Sequence, residues 1–141
     1  GACFTYTDYY MFKDNYSPRL LISPNDSISY KDLIKKCDIG CLTVMLDKHK
    51  IPNISFPIIP KEDYALWLDI LAKDIIAYRV PQALCYYRVS STSISNNKRK
   101  EILKQWNILK KQNLPFPTRI ICIITYIISG IYKHHFRLRH S

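Results

Sequence analysis

Lys61-Glu62-Asp63-Tyr64-Ala65-Leu66-Trp67-Leu68 sets two adjacent carboxylates where a proline-marked segment turns into a strongly apolar helix. Pro57 and Pro60 bound the approach, and from Tyr64 to Ala72 only Asp69 is polar. A helix that is apolar almost all round is a buried one, and burial holds its first turn still. Asp63 is expected at or next to the N-cap, with Trp67 one turn on along the same face, so that a carboxylate and an aromatic surface line one pocket. Capping by itself also accounts for Asp63, because an Asp oxygen at a helix start accepts an otherwise orphaned backbone N–H.

On the C-terminal side of this helix, Lys73-Asp74 ends the apolar run. Ile75 to Val80 and Ala83 to Tyr87 read as two short β segments split by Pro81-Gln82. Arg88 then opens a polar, Ser-rich loop through Asn97, a candidate flap. From about Lys98 to Gln112 the pattern is helical, with Ile102, Trp106 and Leu109 at i, i+4 and i+7 beside Leu103 and lysines opposite.

On the N-terminal side, aromatics and Thr make Phe4 to Phe12 a strand, and Arg19 to Ile22 is a short strand between prolines. Ser29 caps a helix from about Tyr30 to Cys37, and Cys41 to Leu46 reads as a buried strand. Gly40, isolated at that strand's entrance, suits a close backbone approach to a ligand or a bulge or turn. The class is α/β.

The net charge of +10 is unevenly placed. Residues 1 to 95 carry eleven Lys/Arg against ten Asp/Glu, whereas residues 96 to 141 carry ten against Glu101 alone. One end of the molecule therefore meets an anionic surface. The eleven tyrosines lie mainly outside the basic third, which disfavours nucleic acid as the partner. Ile120 to Tyr132 has no charge and is flanked by Arg119 and by Lys133, His134, His135, Arg137 and Arg139. Its thirteen residues fall short of the roughly twenty that span a bilayer. They suit a helix lying in the headgroup region with its cationic ends on anionic lipid, or else a core helix with a solvated basic flank.

Five cysteines at scattered spacings imply packed thiols in a reducing, cytoplasmic compartment, and neither they nor the four histidines form a zinc pattern. No D-x-D occurs. The chain starts at Gly1-Ala2 and enters a strand almost at once, which reads as part of something longer.

Four ordered stretches resemble the C-terminal half of a family 2, GT-A-type bacterial glycosyltransferase that builds surface polysaccharide or lipopolysaccharide: Ser29 to Leu33, Ile39 to Val44, Glu62 to Leu68, and Tyr87-Arg88 followed by Ser93 to Lys98. The resemblance covers roughly residues 3 to 112 and implies a partial GT-A-like mixed sheet with flanking helices. With the charge pattern of the C-terminal third, the expected division is an acceptor-side half-domain, 1–112, and a basic-flanked amphipathic or apolar helix, 113–141, expected to associate with a membrane. The resemblance implies inverting transfer of a sugar from a nucleotide-diphosphate donor to a saccharide or lipid-linked acceptor, at the inner face of the cytoplasmic membrane.

In such enzymes the residue matching Asp63 is the general base; Glu62 would orient it, and Trp67 would face the acceptor sugar or pack beneath the pocket. Gly40 would lie at the donor-side backbone, while Arg88 and Lys98 would meet the departing diphosphate. The Arg88 role competes with that of an ordinary surface arginine. The family's loop often carries a histidine, and here Ser90 to Ser93 offer hydroxyls only. The family's nucleotide-binding half and the D-x-D that holds Mg or Mn precede the matched region, so residues 1–141 alone are expected to be inactive. The rival expectation is a non-catalytic, basic, peripheral membrane-binding module.

Overall fold

The computed structural model describes residues 1–13, 19–89 and 98–139, with Lys98 and residues 132–139 described by backbone alone. Its axis is strand β1, Phe4–Phe12, in which Phe4, Tyr6 and Asp8 alternate into the interior. Strand β5, Ala77–Arg88, runs parallel along one side of it. Two short antiparallel strands share the other side, β2 (Leu20–Ile22) along Tyr9 to Met11 and β4 (Val44–Leu46) along Phe4 to Tyr6. Strand β3, Ser27–Ile28, closes the far edge antiparallel to the start of β5. The result is a mixed sheet with flanking helices.

The two segments expected around Pro81-Gln82 are one strand. The ladder pairs Thr7 with Val80 and then Asp8 with Ala83, so Pro81 and Gln82 are skipped. Proline has no N–H to give a ladder, and a bulge removes it from pairing without ending the strand.

The expected strand from Cys41 is likewise corrected. Thr43 directs both its backbone N–H (3.0 Å) and its hydroxyl (2.7 Å) to the Gly40 carbonyl, closing a 3-10 turn over Cys41–Thr43. Only Val44–Leu46 remains for pairing, at an edge where Met45 is exposed. Helix α1 is also shorter than its pattern suggests, spanning Tyr30–Leu33, after which the Lys35 and Lys36 N–H groups both close on the Asp32 carbonyl. Its start is as expected: the Asp32 carboxylate accepts the Ser29 N–H at 3.0 Å and the Ser29 hydroxyl.

Helix α2, Glu62–Leu71, buries seven of its ten residues. On one side Trp67 meets Phe4 of β1; on another, Tyr64 bonds to Gln105 of helix α3, Lys98–Lys111. Each fully buried apolar side chain contributes about 1.5–3 kcal/mol against about 1 kcal/mol for a cap, so packing positions this helix more than its first residue does. The apolar face of α3 is rotated from the one read in the pattern: Gln105, Ile108 and Leu109 are buried and Leu103 is exposed.

Helix α4, Phe116–Arg139, is longer than the uncharged run Ile120–Tyr132. It tolerates Pro117 because a first-turn N–H has no intrahelical partner to lose. It docks on α3 through Trp106 and Phe116 (ring centroids 5.8 Å apart), with the Arg119 guanidinium over Trp106 and Cys122 inside the common core. Among the described residues no helix is long and apolar enough to cross a membrane.

Candidate active site

The chain reaches α2 through a tight turn, in which the Ile59 N–H bonds back to Pro57. It then enters a left-handed residue, Lys61, at φ 59° and ψ 47°. Lys61 is the N-cap; Glu62 and Asp63 are the first two residues of the helix. The expectation that Asp63 stands at or beside the N-cap is therefore shifted by one residue. Asp63 works from inside the first turn, its Oδ1 accepting the Tyr64 N–H at 2.7 Å. Glu62 is exposed and Asp63 half-buried. Both lie where orphaned N–H groups favour negative charge.

Cys41 lies within electrostatic reach of this pair. Partial burial pushes its thiol pKa up, and the negative charges of Asp63 and then Glu62 push it further. The 3-10 turn that carries Cys41 is tied to β5, where the Cys85 thiol donates to the Leu42 carbonyl at 3.1 Å. Gly40 caps that turn with ordinary extended backbone, φ −77°. Gly40 is thus at a turn, one of the roles its position suggested, but a Cβ there would find its nearest neighbour at 3.6 Å, an ordinary contact, so neither crowding nor a positive φ requires the glycine. Gly40 borders a recess of 170 Å³ with Tyr9, Asn25, Lys36 and Asp38.

Trp67 is 2% exposed. Its ring sits edge-on against Phe4 (5.3 Å) and Phe56 (6.1 Å), and it forms the floor of an open cleft of 410 Å³ with Cys41, Lys48 and Phe56. Its Nε1 is buried with no hydrogen-bond partner among the described residues.

The support beneath the carboxylates is a polar cluster. Lys61 Nζ donates to Tyr126 OH of α4 (3.0 Å) and to Gln105 Oε1 of α3 (3.3 Å), and lies 3.5 Å from Glu101 Oε2. It also sits over the Tyr126 ring, 4.7 Å from its centroid. Gln105, wholly buried, donates to Tyr64 OH (2.7 Å), which donates onward to the Leu33 carbonyl (3.1 Å). Sequence reading passed over Lys61, Gln105, Tyr126 and Cys41. For Gln105 a signal existed, since it falls at i, i+3, i+4 and i+7 with Ile108, Leu109 and Gln112, and Gln112 also bonds to α2 through Asp69 (2.7 Å).

Arg88 ends β5, exposed and opposite Phe12. Strand alternation puts it on the face of Tyr86, which stacks on Tyr10 (5.5 Å) beneath Arg19. Tyr87, on the other face, borders a cleft of 510 Å³ with Lys61, Glu101 and Tyr126. Glu62 and Asp63 thus lie within electrostatic reach of Cys41, which shares a cleft with Trp67, and Arg88 lies at the end of β5 on the face of Tyr86. Lys98 begins α3, but its side chain and the loop at 90–97 lie outside the described residues. Among the described residues no three His, Cys, Asp or Glu side chains cluster to hold a metal ion.

Among the known proteins that the chain resembles are two from Escherichia coli. The chain is 46% identical over 136 residues to WfaP, named as a UDP-Glc:α-D-GlcNAc-diphosphoundecaprenol β-1,3-glucosyltransferase, an alignment covering 96% of this chain and 54% of that protein. It is 40% identical over 134 residues to WfgD, which bears the same enzyme name, covering 94% of this chain and 53% of the relative. The chain spans about half the length of these curated relatives. No family model matches it, and no solved structure does.

Proposed function

We propose that residues 1–141 are the acceptor-side half of an inverting, family 2, GT-A-type glycosyltransferase, with Asp63 as general base. The carrying observation is the placement of Asp63 in the first turn of a buried helix, one oxygen accepting the Tyr64 N–H and the carboxylate half-buried. The WfaP and WfgD names support a UDP-sugar donor and a diphospholipid-linked sugar acceptor. In the reaction Asp63 takes the proton of the acceptor hydroxyl. The hydroxyl oxygen then bonds to the anomeric carbon as the bond from that carbon to the diphosphate breaks. Proton transfer requires the hydroxyl within about 2.6–3.2 Å of the carboxylate.

Glu62, exposed beside Asp63, orients it, and Trp67 underlies the cleft as its apolar floor. Gly40 leaves the donor-side backbone accessible. Arg88 and Lys98, at the two ends of the 90–97 segment, supply positive charge to the departing diphosphate. The Mg or Mn ion expected of such enzymes finds no ligand cluster among the described residues, and we assign its ligands to the donor half.

The test is sugar transfer from a UDP-sugar to a diphospholipid-linked GlcNAc by the full-length polypeptide. Asp63→Asn should lower kcat by on the order of 10²–10⁴. Retained activity would remove Asp63 from the base role. Residues 1–141 alone should neither transfer nor hydrolyse the donor; an activity of theirs lost in Asp63→Asn would show that the donor half is dispensable.

A second reading, membrane association, rests on α4. Ile120, Ile121, Ile124, Ile127, Ile128 and Ile131 recur at helical spacing and are all exposed, making an apolar stripe on a helix whose sequence is basic at its end. Such a stripe would seat the catalytic half against anionic lipid at the cytoplasmic face, where a lipid-linked acceptor is found. Without the donor half, the same helix could serve a non-catalytic, peripheral membrane-binding module.

A further inference from the structure

We infer that Lys61 is a positioning residue whose ammonium, held by α3 and α4, pins the left-handed turn that aims Glu62 and Asp63. A non-glycine residue in that region is disfavoured by its own Cβ and persists only where its surroundings over-determine it. Here the surroundings are specific. Tyr126 OH at 3.0 Å, Gln105 Oε1 at 3.3 Å and Glu101 Oε2 at 3.5 Å receive the ammonium, and the Tyr126 ring lies beneath it. The Lys61 carbonyl meanwhile accepts the Ala65 N–H at 3.1 Å, the first bond of α2. Backbone and side chain of one residue therefore join the start of α2 to both C-terminal helices. The two carboxylates follow immediately in the chain, with no intervening residue to absorb a shift.

The consequence is a role for α4 beyond that of an appendage: Tyr126 reaches across the chain to hold the residue that precedes the carboxylates. The Cys41 thiol, on another element, is pushed up first by partial burial and then by the charges of Asp63 and Glu62, so its titration responds to their position without any turnover. The catalytic meaning of the inference rests on the proposed role of Asp63; its structural content does not.

The experiment is the pH profile of Cys41 alkylation by iodoacetamide in the full chain, read on the Cys41 peptide by mass spectrometry. Glu62→Gln with Asp63→Asn should shift the midpoint to lower pH, calibrating the probe. Lys61→Met should shift it the same way because the carboxylates are released, whereas simple loss of a positive charge would push it to higher pH. Lys61→Arg should restore the original profile. If Lys61→Met does not fold, Tyr126→Phe combined with Glu101→Gln removes two holders of the ammonium, leaves Lys61 in place, and should also move the profile down. A folded Lys61→Met, or the double variant, with an unmoved or raised midpoint overturns the inference. A lowered midpoint beside full transfer by Asp63→Asn would sustain the positioning while removing the catalytic reading.

Discussion

Gln105, fully buried on α3, bridges two groups of the candidate site: its Nε2 donates to Tyr64 OH at 2.7 Å while its Oε1 accepts from Lys61 Nζ at 3.3 Å. A buried amide satisfied at both ends is stabilising only while both ends are met. Gln105→Leu keeps the bulk and removes one hydrogen bond from each of Lys61 and Tyr64, which keep their other partners, so urea unfolding should show a loss of about 1–3 kcal/mol for the two bonds together. A neutral result would mean that the neighbours repair themselves without the amide.

The buried tyrosines predict an alkaline limit. Desolvation by burial raises the phenol pKa of Tyr64 and of Tyr6 well above the ordinary 10.0. Each contributes fully while unfolded tyrosine is still protonated. As pH rises past 10.0 the unfolded chain loses protons that the folded chain keeps, and stability falls. The unfolding midpoint should therefore drop steeply above that pH, and Tyr64→Phe should make the drop shallower. An identical slope in the variant would mean that Tyr64 is not protected.

On the acid side the sign reverses. Hydrogen bonds from the Ser29 hydroxyl and N–H hold the Asp32 carboxyl below its usual range. That stability is present above the unfolded carboxyl's pKa and is lost as pH falls through the lower folded one. Ser29→Ala should weaken the protein at neutral pH by about 0.5–2 kcal/mol, with a smaller difference in acid. Chemical unfolding at two pH values checks it.

Trp67 separates packing from polarity. Trp67→Ala removes the ring that fills the space against Phe4 and Phe56 and should cost about 3–5 kcal/mol. Trp67→Phe keeps an aromatic there and discards the unpartnered Nε1, so it should cost less. Equal losses in denaturant titrations would indicate that the indole N–H has a partner in solution.

The exposed isoleucines of α4 give the membrane test. Ile124→Lys with Ile128→Lys should abolish co-sedimentation with vesicles containing anionic lipid, while thermal unfolding moves little, because surface changes are usually within about 0.5 kcal/mol each. Unchanged sedimentation would sink the interfacial helix.

Much of this was legible locally. The apolar run after Asp63 predicted a buried helix, aromatics and Thr from Phe4 to Phe12 predicted a strand, and Ser29 marked a helix start; the inward alternation of Phe4, Tyr6 and Asp8 and the central place of that strand came from the structure. The errors fell where a short-range pattern met a competing bond. The Thr43 hydroxyl turned a β-prone run into a 3-10 turn, and a bulge absorbed Pro81 inside one strand. Leu103 fits a helical apolar pattern as well as Ile108 does, and the neighbours of α3 choose between them.

That Glu62 and Asp63 open a buried helix follows from the residues alone, because burial follows from side-chain type and periodicity over a few positions. Tertiary structure alone decided what stands around them. Lys61 meets Tyr126 across 65 positions and Gln105 across 44, and Tyr64 meets Leu33 across 31. No local propensity encodes those separations, and no propensity calls for a left-handed lysine. They exist because packing α2 against β1 and α3, and α4 against α3, brings polar groups together in a space where each must find a partner.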